Sequence, residues 1–104
     1  MLIQLNTDNT ISAREELKES VESKINETLG RFDSYVTRIE VHFKDENGPK
    51  QGTDDIRCAL EARLENAQPL TVSNTADSID LALSGAIAKM KKVLDSTIEK
   101  MRGH

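Results

Sequence analysis

The sequence is poor in aromatic residues, with no tryptophan, one tyrosine and two phenylalanines in 104 residues. Proteins that read single-stranded nucleic acid usually stack bases on several aromatic side chains. The composition therefore argues against a base-stacking platform and against a large aromatic interface.

Cysteine is also scarce, since Cys58 is the only one. A single cysteine excludes an intrachain disulfide and a cysteine-rich zinc site. Cys58 falls on the inward side of a predicted strand, which favours a small buried hydrophobic residue over a reactive thiol. The chain shows no basic region followed by an apolar run and no apolar stretch near the roughly 20 residues that span a bilayer. We therefore expect a cytoplasmic protein with no membrane contact.

Residues that commonly perform catalysis are few. His42 falls on an outward strand position, where a solvated residue is expected, so no histidine-centred acid–base or nucleophile arrangement can be assembled. The carboxylates that bracket the predicted loop after this strand fit no calcium-loop spacing; they are Asp45, Glu46, Asp54 and Asp55. We expect no enzymatic activity, no cofactor, no metal site and no small-molecule substrate.

Acidic residues outnumber basic ones by 18 to 14, which gives a net charge of −4. Because nonspecific nucleic-acid binding relies on many lysine and arginine contacts to phosphates, this balance disfavours it for the molecule as a whole. The second half of the last predicted helix is the exception. Against Asp95 and Glu99, it carries five basic residues: Lys89, Lys91, Lys92, Lys100 and Arg102.

Alternating apolar and polar residues predict four strands. A chain of this length is expected to form one domain over residues 1–104. The strands are predicted at residues 2–6, 37–44, 56–65 and 70–73, with a polar loop at residues 45–53.

Helical spacing predicts two helices. The first begins near Ala13, because Ser12 and Glu15 form a capping box, and it ends at Gly30. Its buried stripe is Leu17, Val21, Ile25 and Leu29. The second spans residues 77–102, with Asp77 or Thr75 as N-cap and Gly103 as its end. The buried stripe of this helix is Ile79, Leu83, Ala86, Ile87, Met90, Leu94, Ile98 and Met101.

The order β-α-β-β-β-α predicts an α+β fold. A strand, helix and strand in succession usually form a parallel unit, and the later strands can follow as an antiparallel meander. Because each strand has one apolar face, we expect a four-stranded mixed sheet with two helices packed on one face. The other face should be solvated and should carry a cross-strand lattice of opposite charges.

Several short motifs in this order resemble a known family. They are Val21-x-x-Lys24-Ile25, the segment Leu29-Gly30-Arg31-Phe32, the Asp77 that opens the last helix, and the run Lys89-Met90-Lys91-Lys92-Val93-Leu94. Together they are similar to the ribosome hibernation-promoting and ribosome-associated inhibitor family, also called the sigma-factor-modulation type, in its short single-domain form. The resemblance covers nearly the whole chain.

The resemblance implies a domain that lodges between the ribosomal subunits, in the channel of messenger and transfer RNA, and blocks translation in stressed or stationary cells. The implied partner is ribosomal RNA on the small-subunit side of the interface, bound by a monomer or a weakly self-associating chain. The residues implied to face RNA are Lys24, Arg31, Lys89 and Lys92, with Lys100 and Arg102 as additions. Their role would be to neutralise phosphates rather than to read bases.

Two alternatives remain open at this stage. The same lysines and arginines are also typical of an ordinary solvated helix face. A domain of this fold that has lost ribosome binding would serve as a protein-interaction module, using the charged sheet face around Arg57 and Arg63 or an exposed edge strand.

Overall fold

The computed structural model describes residues 1–7, 15–46 and 55–103. The start of the first helix at Ser12 and Ala13 lies outside these residues, as does most of the predicted polar loop, including Asp54. The elements confirm the predicted order: β1 (Leu2–Thr7), α1 (Glu15–Leu29), a 3₁₀ turn (Gly30–Phe32), β2 (Val36–Asp45), β3 (Ile56–Leu64), β4 (Leu70–Ala76) and α2 (Ile79–Arg102).

The four strands form one mixed sheet in the order β1-β2-β3-β4. β1 runs parallel to β2, with Ile3 opposite Ile39, and α1 makes the crossover between them. β3 is antiparallel to both of its neighbours, so that Leu60 lies opposite Val41 on one side and Val72 on the other. This pairing confirms the parallel unit followed by an antiparallel meander.

The core lies between the inner face of the sheet and the two helices. Alternate residues of β2 and β3 are buried because successive side chains of a strand point to opposite faces. From α1 the core takes Val21, Ile25 and Leu29, with Leu17 half-buried at its border. From α2 it takes Ala82, Leu83, Ala86, Ile87, Met90, Leu94 and Ile98. Both helices therefore pack on one face, as predicted.

The start of α2 differs from the prediction. The N-cap is Ser78, which has extended backbone angles and whose Oγ accepts a hydrogen bond from the Leu81 N–H at 3.2 Å. Thr75 instead lies in β4, opposite Arg57, and Asp77 precedes the cap. β4 therefore continues three residues beyond the predicted end, because its last residues pair with the start of β3.

The predicted burial of Met101 is wrong. Its side chain is 45% exposed, whereas Ile98, one turn earlier, is buried. The helical spacing of Met101 continues the apolar stripe, but the last turn of α2 passes beyond the residues that form the core. Helical periodicity indicates which side of a helix is apolar and does not indicate how far the partner surface extends.

The outer face of the sheet carries the predicted lattice of charges. The register places Glu40 opposite Glu61 and Arg38 opposite Arg63. Opposite charges therefore meet along a strand or diagonally: Arg38 lies 2.8 Å from Glu40, and Arg63 lies 3.8 Å from Glu40 and 3.5 Å from Glu61. His42 sits at the side of this network, 3.6 Å from Glu40 and about half exposed, as expected for a solvated sheet residue.

In residues 1–7, 15–46 and 55–103 we find no helix whose length and hydropathy would allow it to cross a bilayer.

Candidate nucleic-acid interface

An open groove of about 910 Å³ lies between the 3₁₀ turn and the last turns of α2. Three of the residues predicted to face RNA line it, namely Arg31, Lys92 and Arg102. The fold brings them together because α1 ends beside the C-terminal half of α2, which places the 3₁₀ turn against that part of the helix. Arg31 thus shares one concave surface with Lys92 and Arg102, which lie 61 and 71 positions after it in the sequence.

Arg31 is held in place by two contacts. Its guanidinium lies over the ring of Phe32, 4.9 Å from the ring centroid, a typical cation–π distance. Its Nη2 is 3.2 Å from Oδ1 of Asp95, and the other oxygen of that carboxylate lies 3.4 Å from the Lys91 ammonium. Asp95 therefore orients Arg31 and neutralises part of the positive charge at this end of the groove.

Lys92, Lys100 and Arg102 are exposed, and no ion pair joins them to any residue in the described part of the chain. Lys92 and Arg102 line the groove itself, whereas Lys100 lies on the same last turns of the helix outside its lining. These three cations are thus available to an anionic partner without the loss of an existing ion pair.

Lys24 and Lys89 do not line the groove. The Lys24 ammonium forms an ion pair with Asp80 in the first turn of α2, which joins the two helices. The Lys89 ammonium donates a 2.8 Å hydrogen bond to the main-chain carbonyl of Ser73 in β4. Both side chains hold neighbouring elements together, so the structure does not place the six predicted residues in one cluster.

Sequence reasoning did not identify every residue of the groove. Tyr35, Ser96 and Ile98 also line it, with Glu99 at its acidic side. Tyr35 precedes β2 and belongs to no periodic pattern, so no signal in the sequence marked it. The pairing of Asp95 with Arg31 joins residues 64 positions apart and is equally invisible to local patterns.

The described residues offer little for catalysis. Burial raises the pKa of the Cys58 thiol from 9.0 to about 12, so the thiol stays protonated and is a poor nucleophile. In the described parts of the chain, no three His, Cys, Asp or Glu side chains lie close enough to hold a metal ion. What the groove does offer is guanidinium and ammonium groups around a concave surface, an arrangement that binds phosphates through charge-assisted hydrogen bonds.

Comparison with known proteins places the chain in a family. No curated protein matches its sequence significantly. Among solved structures, the N-terminal domain of Protein Y from Thermus thermophilus has a similar fold, with a TM-score of 0.72 at 16% identity over 98% of this chain and 100% of that one. A ribosomal subunit interface protein from Coxiella burnetii gives a TM-score of 0.74 at 14% identity over 93% of this chain and 97% of that one.

At these identities the two structures demonstrate a shared fold. The sequence itself matches the family described as sigma 54 modulation protein / S30EA ribosomal protein over residues 3–102, which is nearly the whole chain. The chain therefore belongs to the sigma 54 modulation protein / S30EA ribosomal protein family.

Proposed function

We propose that this protein is a cytoplasmic, ribosome-associated translation inhibitor or hibernation factor that binds ribosomal RNA on the small-subunit side of the subunit interface. The observation that carries the proposal is the convergence of Arg31, Lys92 and Arg102 on one open groove in a chain of net charge −4. Membership of a family described as ribosomal supports the ribosome as partner, and that family is one of ribosome-associated modulation proteins rather than of enzymes.

The proposed mechanism is occupancy and requires no chemical step. A folded domain lodged between the subunits, as a monomer or a weakly self-associating chain, excludes messenger and transfer RNA from their channel. Contacts to phosphates fix the position of a protein on RNA without reading its sequence. This role suits cells under stress, in which translation has to stop reversibly.

The basic residues contribute unequally in this proposal. Lys92, Lys100 and Arg102 meet phosphates directly, because they have no ion pair to give up among the described residues. Arg31 binds in the orientation that Phe32 and Asp95 impose on it. Lys24 and Lys89 contribute at the border, since each would first have to leave its present partner.

The test is co-sedimentation of the purified protein with ribosomes and separated subunits at low and moderate salt. We expect Lys92→Glu combined with Arg102→Glu to weaken binding by about tenfold or more. Each lost phosphate contact reduces the number of counterions released from the RNA on binding, and this release favours the complex. The control combines Lys44→Glu with Arg57→Glu, two exposed residues that lie opposite each other on the outer sheet face. It changes the net charge by the same amount, and we expect binding within about threefold of the unmodified protein.

The two double variants separate the competing interpretations. Equal losses in both would show that binding follows net charge, and the groove would not be the site. A loss confined to the sheet variant would assign the partner surface to the outer face, as in the protein-interaction alternative. An absence of ribosome binding at low salt by the unmodified, folded protein would contradict the proposal altogether.

A further inference from the structure

The strand β1 forms an open edge of the sheet. It pairs with β2 on one side, and no strand of the described chain lies on its other side. Its six residues, Leu2–Thr7, include no charged residue and no proline. Native proteins usually protect an edge strand with such residues, because its free N–H and C=O groups can pair with another chain. β1 therefore retains the features that favour the addition of a strand.

The opposite edge of the sheet is different. β4 also lacks charged residues, but α2 is attached to it through side chains. Lys89 donates to the Ser73 carbonyl at 2.8 Å, and the Asn74 amide donates to the carbonyls of Leu81 and Ala82 at 3.4 and 3.3 Å. Lysine contacts of this kind hinder the approach of another strand. As far as the described residues show, β1 is the more accessible of the two edges.

A second groove, of about 640 Å³, runs along this accessible edge. It is lined by residues 2–6 of β1 together with Glu15 and Lys18 of α1. Ile3 and Leu5 are only half-buried beside it, and Leu2 on the outer face is 57% exposed. An added strand would cover Ile3 and Leu5 on one face and would contact Leu2 on the other, since side chains of a strand alternate between faces.

The helix that borders this groove, α1, is acidic beyond the groove itself, where Glu15 and Lys18 carry opposite charges. Glu15, Glu19 and Glu22 are spaced four and three residues apart, so they share the side of α1 on which Glu15 lines the groove. Within Glu15–Leu29, Lys18 is the only cation on that side. The other lysine of α1, Lys24, is paired with Asp80 towards α2. A second copy of this chain would bring a second acidic helix against the first, whereas a basic segment would meet complementary charge.

We propose that the β1 edge binds an extended, basic segment of a partner protein by strand addition. The backbone of that segment pairs with β1, its basic side chains lie against the acidic side of α1, and its alternate apolar side chains lie beside Leu2. Main-chain hydrogen bonds supply affinity, and the alternating side chains supply specificity. This surface is separate from the groove of Arg31, Lys92 and Arg102, so the inference goes beyond the proposed function and does not depend on it.

The test uses two labelled ten-residue peptides as probes, one alternating lysine with valine and one alternating glutamate with valine. Fluorescence anisotropy at low salt measures their affinity for the full chain, and NMR of the amide groups locates the contact. We expect the lysine peptide to bind and the glutamate peptide not to bind. The largest amide shifts should fall on Leu2–Thr7. Methylation of every second backbone amide of the lysine peptide should weaken its binding by tenfold or more, since a methylated amide cannot donate to β1.

Charge variants of the protein complete the test. Glu15→Lys should weaken binding of the lysine peptide by about fivefold, in the range expected for reversal of an exposed ion pair. The control is Glu65→Lys, which changes net charge equally at an exposed turn away from the groove. Equal weakening by both variants, or unchanged affinity of the methylated peptide, would overturn the proposal. So would a dimer in sedimentation equilibrium whose contact shifts Leu2–Thr7, because a second copy would then occupy the edge.

Discussion

Gly85 of α2 allows the helix to approach β4 closely. A Cβ at this position would overlap the side-chain amide of Asn74, and its three nearest neighbours all belong to that residue. The same amide donates hydrogen bonds to the Leu81 and Ala82 carbonyls. A single polar side chain therefore joins the edge strand to the helix, and it needs the space that glycine leaves.

We expect Gly85→Ala to lower the free energy of unfolding by about 1–2 kcal/mol. Alanine gains roughly 1 kcal/mol of helix propensity over glycine. Displacement of Asn74 outweighs this gain, because overpacking costs about 1–3 kcal/mol and each lost hydrogen bond about 0.5–1.5 kcal/mol. Urea unfolding followed by circular dichroism measures the difference.

The control for this substitution is the same change in an Asn74→Ala background. With the overlapping side chain removed, Gly85→Ala should stabilise the protein by up to about 1 kcal/mol, the propensity gain alone. A similar loss of stability in both backgrounds would mean that Asn74 is not the cause of the close approach.

At the scale of the secondary-structure elements, the beginning of α2 depends on Ser78. Its Oγ accepts from the Leu81 N–H, which satisfies one of the donors that the first turn leaves unpaired. We expect Ser78→Ala to reduce the free energy of unfolding by about 1 kcal/mol. Thermal or urea unfolding is the measurement.

Two other substitutions check this assignment. Ser84→Ala, at an exposed position in the second turn of α2, should change stability by less than about 0.5 kcal/mol. Asp77→Ala should do the same, since Asp77 precedes the cap. A greater loss for Asp77→Ala than for Ser78→Ala would return the cap to the position that the sequence suggested.

The sequence predicted the elements well because their signals are local. Strict alternation in β2 and β3 and the four-residue steps of α1 leave little choice of structure. The sequence predicted the ends of β4 and the beginning of α2 less well. Thr75, Asp77 and Ser78 are all residue types that cap helices, and only the extent of β4 decides between them. The last residues of β4 do not alternate in polarity, so their pairing with β3 gave no signal along the chain.

At the scale of the whole molecule, the sequence identified the basic residues that could bind RNA. It could not indicate which of them already have a partner within the protein. Lys24 pairs with a residue 56 positions away and Arg31 with one 64 positions away. Such contacts depend on how α1 packs beside α2, and the spacing of residues along the sequence cannot predict them. The structure thereby divides the six predicted residues into three with an ion-pair or hydrogen-bond partner and three, Lys92, Lys100 and Arg102, without an ion pair in the described parts of the chain.

Asp95 allows a test of whether ribosome binding depends on the charges in the groove or on the net charge of the whole protein. If the groove binds phosphates, Asp95→Asn should raise ribosome affinity by about threefold at low salt, because Arg31 and Lys91 would no longer share their charge with a carboxylate. Glu46→Gln removes the same single negative charge from an exposed position just after β2, at the opposite end of that strand from the groove residue Tyr35. It should have a smaller effect, since surface charges farther apart than about 10 Å are largely screened at 0.1 M salt. Quantitative co-sedimentation of both variants over a range of salt concentrations decides between them. Equal gains would mean that the net charge of −4 sets the affinity, whereas a gain confined to Asp95→Asn would assign the effect to the groove.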